Sequence, residues 1–91
     1  MNKVDLVSAL ADRTGLTKRD ADRVVDAFCD VIEEALAHGD KVSLVGFGTF
    51  EVRERQPRVG RNPQTGEQLQ IPATRVPAFR AGKALKETVE K

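Results

Sequence analysis

Between Arg53 and Arg75 the chain keeps the two-residue alternation of a β-strand while its apolar residues nearly vanish, only Val59, Leu69 and Ile71 being large and apolar there. Such a segment cannot build a core of its own. At its centre, Arg61-Asn62-Pro63-Gln64-Thr65-Gly66 is a turn sequence, in which proline fixes φ and glycine permits positive φ. The segment therefore reads as a long two-stranded ribbon with nothing apolar beneath it. Pro57, Gly60 and Pro72 interrupt the ladder, so bends or bulges are expected, and the prolines blunt the exposed edges. Strict alternation does not place Arg53, Arg55, Arg58 and Arg61 on one face, because the parity changes at Arg58. A bulge near Pro57 would realign them, and the sequence leaves that open. An isolated hairpin is marginal in water, so a ribbon projecting from a small domain needs something to wrap around. The plainer alternative is a mobile linker loop, against which the alternating arginines and the focused turn argue.

The remainder of the chain is conventional by comparison. Asn2 is placed to cap a first helix carrying Leu6, Val7 and Leu10, with Gly15 to end it. Thr17-Lys18-Arg19-Asp20 has the capping-box pattern. It opens a second helix with Ala21, Val24, Val25, Phe28, Ile32, Ala35 and Leu36 on one face and Gly39 as the stop. The short loop between them makes a helical hairpin. From Lys41 the period becomes two. Val42 and Leu44 alternate with polar residues, Gly46-Phe47-Gly48 is turn chemistry, and Phe50 and Val52 alternate again. Gly82 to Val89 forms a short helix with Leu85 and Val89 on one side. The expected fold is thus α+β: an N-terminal helical hairpin, a three-stranded antiparallel sheet extended into a β-ribbon arm, and a C-terminal helix. At 91 residues there is room for one domain. It divides into a helical part at 1–40, a sheet body at 41–52 and 76–80, the arm at 53–75, and the final helix at 81–91.

Charge is divided as sharply as structure. Residues 1–40 hold five cations and nine acids, giving −4, whereas residues 41–91 hold ten cations and five acids, giving +5, around a formal total of +1. An acidic half joined to a basic half points to a polyanion-binding surface confined to one part of the molecule. The stretch from Arg53 to Arg80 has six arginines, no lysine and two acids, and arginine is the side chain suited to forked phosphate contacts. For any single charge a solvated face is the simpler explanation.

A two-stranded arginine ribbon can enter a DNA groove, and the narrow minor groove concentrates negative potential. An apolar ring such as Pro63 can wedge between base pairs and kink the duplex, at about a few kcal/mol per unstacked step, offset by phosphate contacts along the bent flanks. Lys3, Lys41, Arg80, Lys83 and Lys86 are the body cations available for those contacts. On the turn sequence alone, the plainer role of turn former is favoured for Pro63 over a wedge.

Gly46-Phe47-Gly48-Thr49-Phe50, the string Gly60 to Gly66, and Val76-Pro77-Ala78-Phe79 followed by Gly82-Lys83-Ala84-Leu85-Lys86 closely resemble the bacterial histone-like HU family. The resemblance spans essentially the whole chain. It implies an intertwined homodimer with two β-arms embracing double-stranded DNA, little sequence preference, and a place in the bacterial nucleoid of the cytoplasm. It implies that Pro63 intercalates, that Arg53, Arg55, Arg58, Arg61, Asn62 and Arg75 are arm contacts, and that Lys3, Lys41, Arg80, Lys83 and Lys86 touch phosphates on the body. Bent, nicked or gapped DNA is the expected preference, with RNA left open as a second ligand. The chain departs from the family where Arg80-Ala81 replaces lysine-proline, where Gln68 and Gln70 replace frequently charged residues, and in its low net charge. These departures bear on the strength of non-specific binding.

Dimerisation also follows from packing. Phe47, Phe50 and Phe79, with Leu44, Ile32 and Leu36, are more large apolar groups than two helices and a small sheet can cover, and a shared core resolves this. No cofactor or metal is expected, since one cysteine and one histidine cannot build a thiolate cluster. Cys29 lies in line with Val25, Ile32 and Leu36 and is expected to be a small buried apolar residue, while His38 suits the end of the second helix. Asp26 is a candidate partner for Lys3. Short apolar runs exclude a membrane span, and Met1 to Asp5 lacks the apolar stretch of a secretory signal, which points to an intracellular protein. A module pairing its ribbon with a partner's sheet edge is the competing function. A sequence-specific DNA bender like integration host factor is the runner-up within the first class, and an enzyme lacks any reactive constellation.

Overall fold

The computed structural model describes residues 1–91. Its elements are α1 (Lys3–Thr14), α2 (Lys18–Ala37), β1 (Val42–Leu44), β2 (Gly48–Arg55), β3 (Arg58–Arg61), β4 (Gln68–Ile71), β5 (Thr74–Ala81) and α3 (Lys83–Glu90). The α+β class and the ribbon are as expected. Residues 1–34 and 35–91 form two compact units.

In the first unit the caps do what their side chains allow. Asn2 and Asp5 close a reciprocal capping box at 3.0 and 3.1 Å, and Gly15, at φ +76°, ends α1 by donating its N–H to the Ala11 carbonyl at 3.0 Å. The Thr17 hydroxyl accepts from the Asp20 N–H at 3.1 Å to start α2. Val7, Ala11 and Ala21 form the hairpin's small core, with Leu10 and Val25 packed on it. Val24 and Phe28, expected on the covered face of α2, are exposed, and so is Cys29. The correction has a simple cause. The alanines bring α1 and α2 together along a narrow stripe, and nothing in one chain covers the rest of the α2 apolar face.

In the second unit α2 stops at Gly39, φ +81°, where the N–H groups of Gly39 and Asp40 reach the carbonyls of Leu36 and Ala35. β1, β2 and β5 form one antiparallel sheet in that order, and β3 pairs with β4. The main ladder is longer than expected, since β2 and β5 stay paired as far as Arg55↔Thr74. The next pair is Arg58↔Ile71. Gln56-Pro57 on one strand and Pro72-Ala73 on the other lie between, equal in number. The prolines thus break the ladder symmetrically, and no one-sided bulge shifts the register.

Gly48 sits at a close approach between β2 and β5. A Cβ there would stand 2.5 Å from the Phe79 ring and 2.6 Å from the Arg80 carbonyl oxygen. The Phe79 ring packs at 4.8 Å from Phe50 and 5.5 Å from Phe47, centroid to centroid. Gly48→Ala is therefore expected to displace this aromatic group and destabilise the fold by about 1–3 kcal/mol, read as a lower urea midpoint. An unchanged midpoint would show that the contact is not tight.

Candidate nucleic-acid interface

Residues opposite each other in an antiparallel ladder share a face, and the register therefore sorts the arginines. Arg53 and Arg55 lie on one face of β2 with Thr49 and Glu51, opposite Val76, Thr74, Arg80 and Ala78. Contacts agree: Ser43 Oγ is 3.1 Å from Thr49 Oγ1, and Glu51 Oε1 lies 3.8 Å from Arg53 Nη2 and 3.6 Å from Arg80 Nε. The other face carries Gly48, Phe50 and Val52 against Ala81, Phe79 and Pro77, and ends with Glu54 opposite Arg75. Arg75 thus stands apart from Arg53 and Arg55. Its Nη2 is 3.4 Å from where a Gly39 Cβ would be. Beyond the proline break, Arg58 pairs with Ile71 and Arg61 with Gln68, on opposite faces of the ribbon. The cations therefore line both faces of the arm rather than one.

The tip is a closed loop held by polar contacts alone. Asn62 supplies three of them: its N–H donates to Glu67 O at 2.9 Å, its carbonyl accepts from Gly66 N at 2.8 Å, and its Oδ1 accepts from Gln64 N at 2.9 Å. Thr65 Oγ1 accepts from Glu67 N at 3.3 Å, and Gly66 takes φ +74°. Pro63, with no N–H to satisfy and φ already fixed, sits exposed at the turn. Asn62 is half-buried, and its role as organiser of this loop is one that an Asx-turn reading of Asn62-Pro63-Gln64 could have supplied.

The body cations differ in freedom. Lys3 Nζ is 2.6 Å from Asp26 Oδ1, as anticipated, and 3.4 Å from Asp22 Oδ1, which was not. Its ammonium is held above the usual lysine range chiefly by the Asp26 hydrogen bond, with Asp22 adding to it against some desolvation. Arg80 leans on Glu51, and Lys83 is 3.9 Å from Glu87. Lys41 and Lys86 are exposed, as are Arg55, Arg58 and Arg61.

Of the expected shared core, Ile32 is buried, Leu36, Leu44 and Phe50 are half-buried, and Phe47 and Phe79 remain 48% and 41% exposed. The two aromatic rings touch yet stay open to solvent. Glu51 is the residue that sequence reasoning missed. Its alternation with Arg53 was visible, but Arg80 joins it only through the β2–β5 register. No helix is long and apolar enough to cross a membrane.

Fold and surface together define an α+β protein with an arginine-bearing β-ribbon arm closed by a proline turn. Residues 1–90 match the family model described as bacterial DNA-binding protein. The chain is 61% identical over 90 residues to the DNA-binding protein HU of Geobacillus stearothermophilus, covering 99% of this chain and 100% of that one. Among solved structures, an Anabaena HU–DNA cocrystal matches with a TM-score of 0.90 and 57% identity, over 98% of this chain and 97% of that one. HU from Thermotoga maritima matches at 0.71 and 38%, over 98% of each. The chain belongs to the bacterial DNA-binding protein family, among its HU members, a structural and non-enzymatic family.

The Lys3 cluster has a pH signature. Because the folded state raises the lysine above its ordinary value of 10.5, the stabilisation is complete below that value and is lost as pH rises through the folded one. The melting difference between the unaltered protein and Lys3→Met is expected to shrink as pH climbs past the ordinary lysine range. A difference constant with pH would mean that the ion pairs do not carry it.

Proposed function

We propose that this protein is a nucleoid-associated architectural protein. In this reading a homodimer binds double-stranded DNA with little sequence preference, lays its two arms in the minor groove, and bends the duplex by inserting Pro63 between base pairs. The observation that carries it is the tip: an exposed proline on a hydrogen-bonded loop, at the end of a ribbon with no core and arginines on both faces. A groove surrounds what enters it, so cations on both faces of the ribbon reach both phosphate walls. The HU–DNA cocrystal among its structural relatives supports the same reading.

Arg53, Arg55, Arg58, Arg61, Asn62 and Arg75 are the proposed arm contacts. Lys3, Lys41, Arg80, Lys83 and Lys86 would neutralise phosphates on the bent flanks. Two arms require two chains, and the half-open rings of Phe47 and Phe79, with Phe50, Leu44, Leu36 and Ile32, are the proposed shared core. Covering one exposed large apolar side chain is worth about 1.5–3 kcal/mol when complete, so a pair of such clusters supplies a substantial part of a small domain's stability. Specificity then comes from deformability, which favours bent, nicked or gapped duplex. As an HU-type protein it would work in the bacterial cytoplasm.

Gel-shift titration of intact and nicked duplex at two salt concentrations, with a native mass measurement, tests the proposal. Binding is expected to weaken steeply with salt, by a log–log slope of about −0.9 per neutralised phosphate, and the mass should be that of two chains. Pro63→Ala should bind intact duplex about as well, yet lose the preference for nicked DNA and the bend. Undiminished bending by Pro63→Ala would remove the wedge, and salt-insensitive binding would favour sheet-edge pairing with a protein partner instead.

A further inference from the structure

Glu51 stands out on the sheet face that carries Arg53, Arg55 and Arg80. It is the acid at the centre of a cationic surface, its side chain only 14% exposed, whereas Arg53 and Arg80 are 58% and 60% exposed. Its Oε1 is closed off from solvent and accepts no hydrogen bond. What faces that oxygen is Arg80 Nε at 3.6 Å and Arg53 Nη2 at 3.8 Å, both within ion-pair range and both longer than a hydrogen bond. A desolvated carboxylate needs nearby positive charge, and the register offers it from two strands, since Arg80 is opposite Thr49 and Arg53 is two residues along β2. The two guanidinium groups are thus gathered over one acid in the free protein.

We propose that Glu51 is an internal stand-in for a DNA phosphate: it holds Arg53 and Arg80 together in the free protein and surrenders them when duplex docks on this face. This rests on the DNA-binding reading above. A guanidinium presents five donors in a planar fork, and contacts of 3.6 and 3.8 Å leave the best of that geometry unused. A phosphate at hydrogen-bond distance replaces a loose contact with a forked one. The exchange leaves the carboxylate less neutralised, and it draws a cation from solution. Glu51 therefore lowers both the affinity and the net release of counterions, and so makes binding less steep in salt than the arginine content alone implies.

The variant Glu51→Gln keeps the shape and removes the charge. Glu54→Gln removes the same charge from the same strand on the other face, opposite Arg75, and serves as the control for net charge. Affinity for a short duplex is measured across a salt series for the unaltered protein and both variants, with the melting temperature confirming that each is folded. Glu51→Gln is expected to bind about threefold to tenfold tighter at moderate salt, the range set by two partly exposed ion pairs. Its log–log salt slope should be steeper by about one. Glu54→Gln should change the slope by much less. In a background of Arg53→Gln and Arg80→Gln the Glu51 substitution should lose most of its effect. Equal effects of the two glutamate variants, or weaker binding by Glu51→Gln, would overturn the exchange while leaving DNA binding itself standing. Absence of salt-dependent binding by the unaltered protein would overturn both readings together.

Discussion

Shortage of core governs this molecule. Val7, Ala11, Ala21 and Ile32 are the buried apolar residues, and three of them are small enough to let α1 and α2 approach without enclosing much volume. Burial on that scale is slight even for a chain of this length. The unmet demand appears as the half-open rings of Phe47 and Phe79 and as the bare apolar face of α2 at Val24, Phe28 and Val31. A second chain meets it in the proposed dimer, and the same event sets two ribbons on one body. Stability and duplex-embracing geometry then have one physical source.

The ribbon inverts this logic, since it is held by backbone pairing and by a polar tip. The ladder stops at Arg55↔Thr74 and resumes at Arg58↔Ile71 with the register intact. Pro57 and Pro72 remove donors and interrupt the pairing without sliding one strand past the other. Within the sheet, the β2–β5 register fixes Arg53 and Arg55 on the face of Glu51 and sends Arg75 to the other; within the arm, Arg58 and Arg61 take opposite faces. Binding in a groove, with phosphate on two sides, makes use of a surface charged all round; binding to a flat partner would not.

Much of this was legible in the residues. The helix stops at Gly15 and Gly39, the change of period near Lys41, and the turn at Pro63 each follow from local chemistry, and local chemistry is what a sequence states most directly. Two kinds of fact were not legible. One was register: the sequence showed that parity changes at Arg58 but could not say whether a bulge corrects it, because pairing depends on two strands at once. The Glu51–Arg80 contact was hidden for the same reason. The other was burial in a chain with too little core, where helical spacing put Cys29 in line with Ile32 and yet left it exposed. Periodicity tells which face is apolar, and whether anything covers that face is a property of the assembly.

The register gives the neutral Gln68 on the returning strand of the arm a physical reason. Gln68 lies opposite Arg61 and Gln70 opposite Val59. A cation opposite Arg61 would repel it across the pair, and an acid would neutralise it, each by roughly 0.2–1 kcal/mol. A neutral amide does neither. The contrast with Glu51 is instructive, because there an acid sits among the arginines and holds two of them. In the sheet, Arg53 and Arg80 are partly spoken for in the free protein, while at the end of the arm Arg61 faces a partner with no charge to give. The charge available to a polyanion thus rises from the sheet toward the tip, the end that carries Pro63, the wedge of the proposed function.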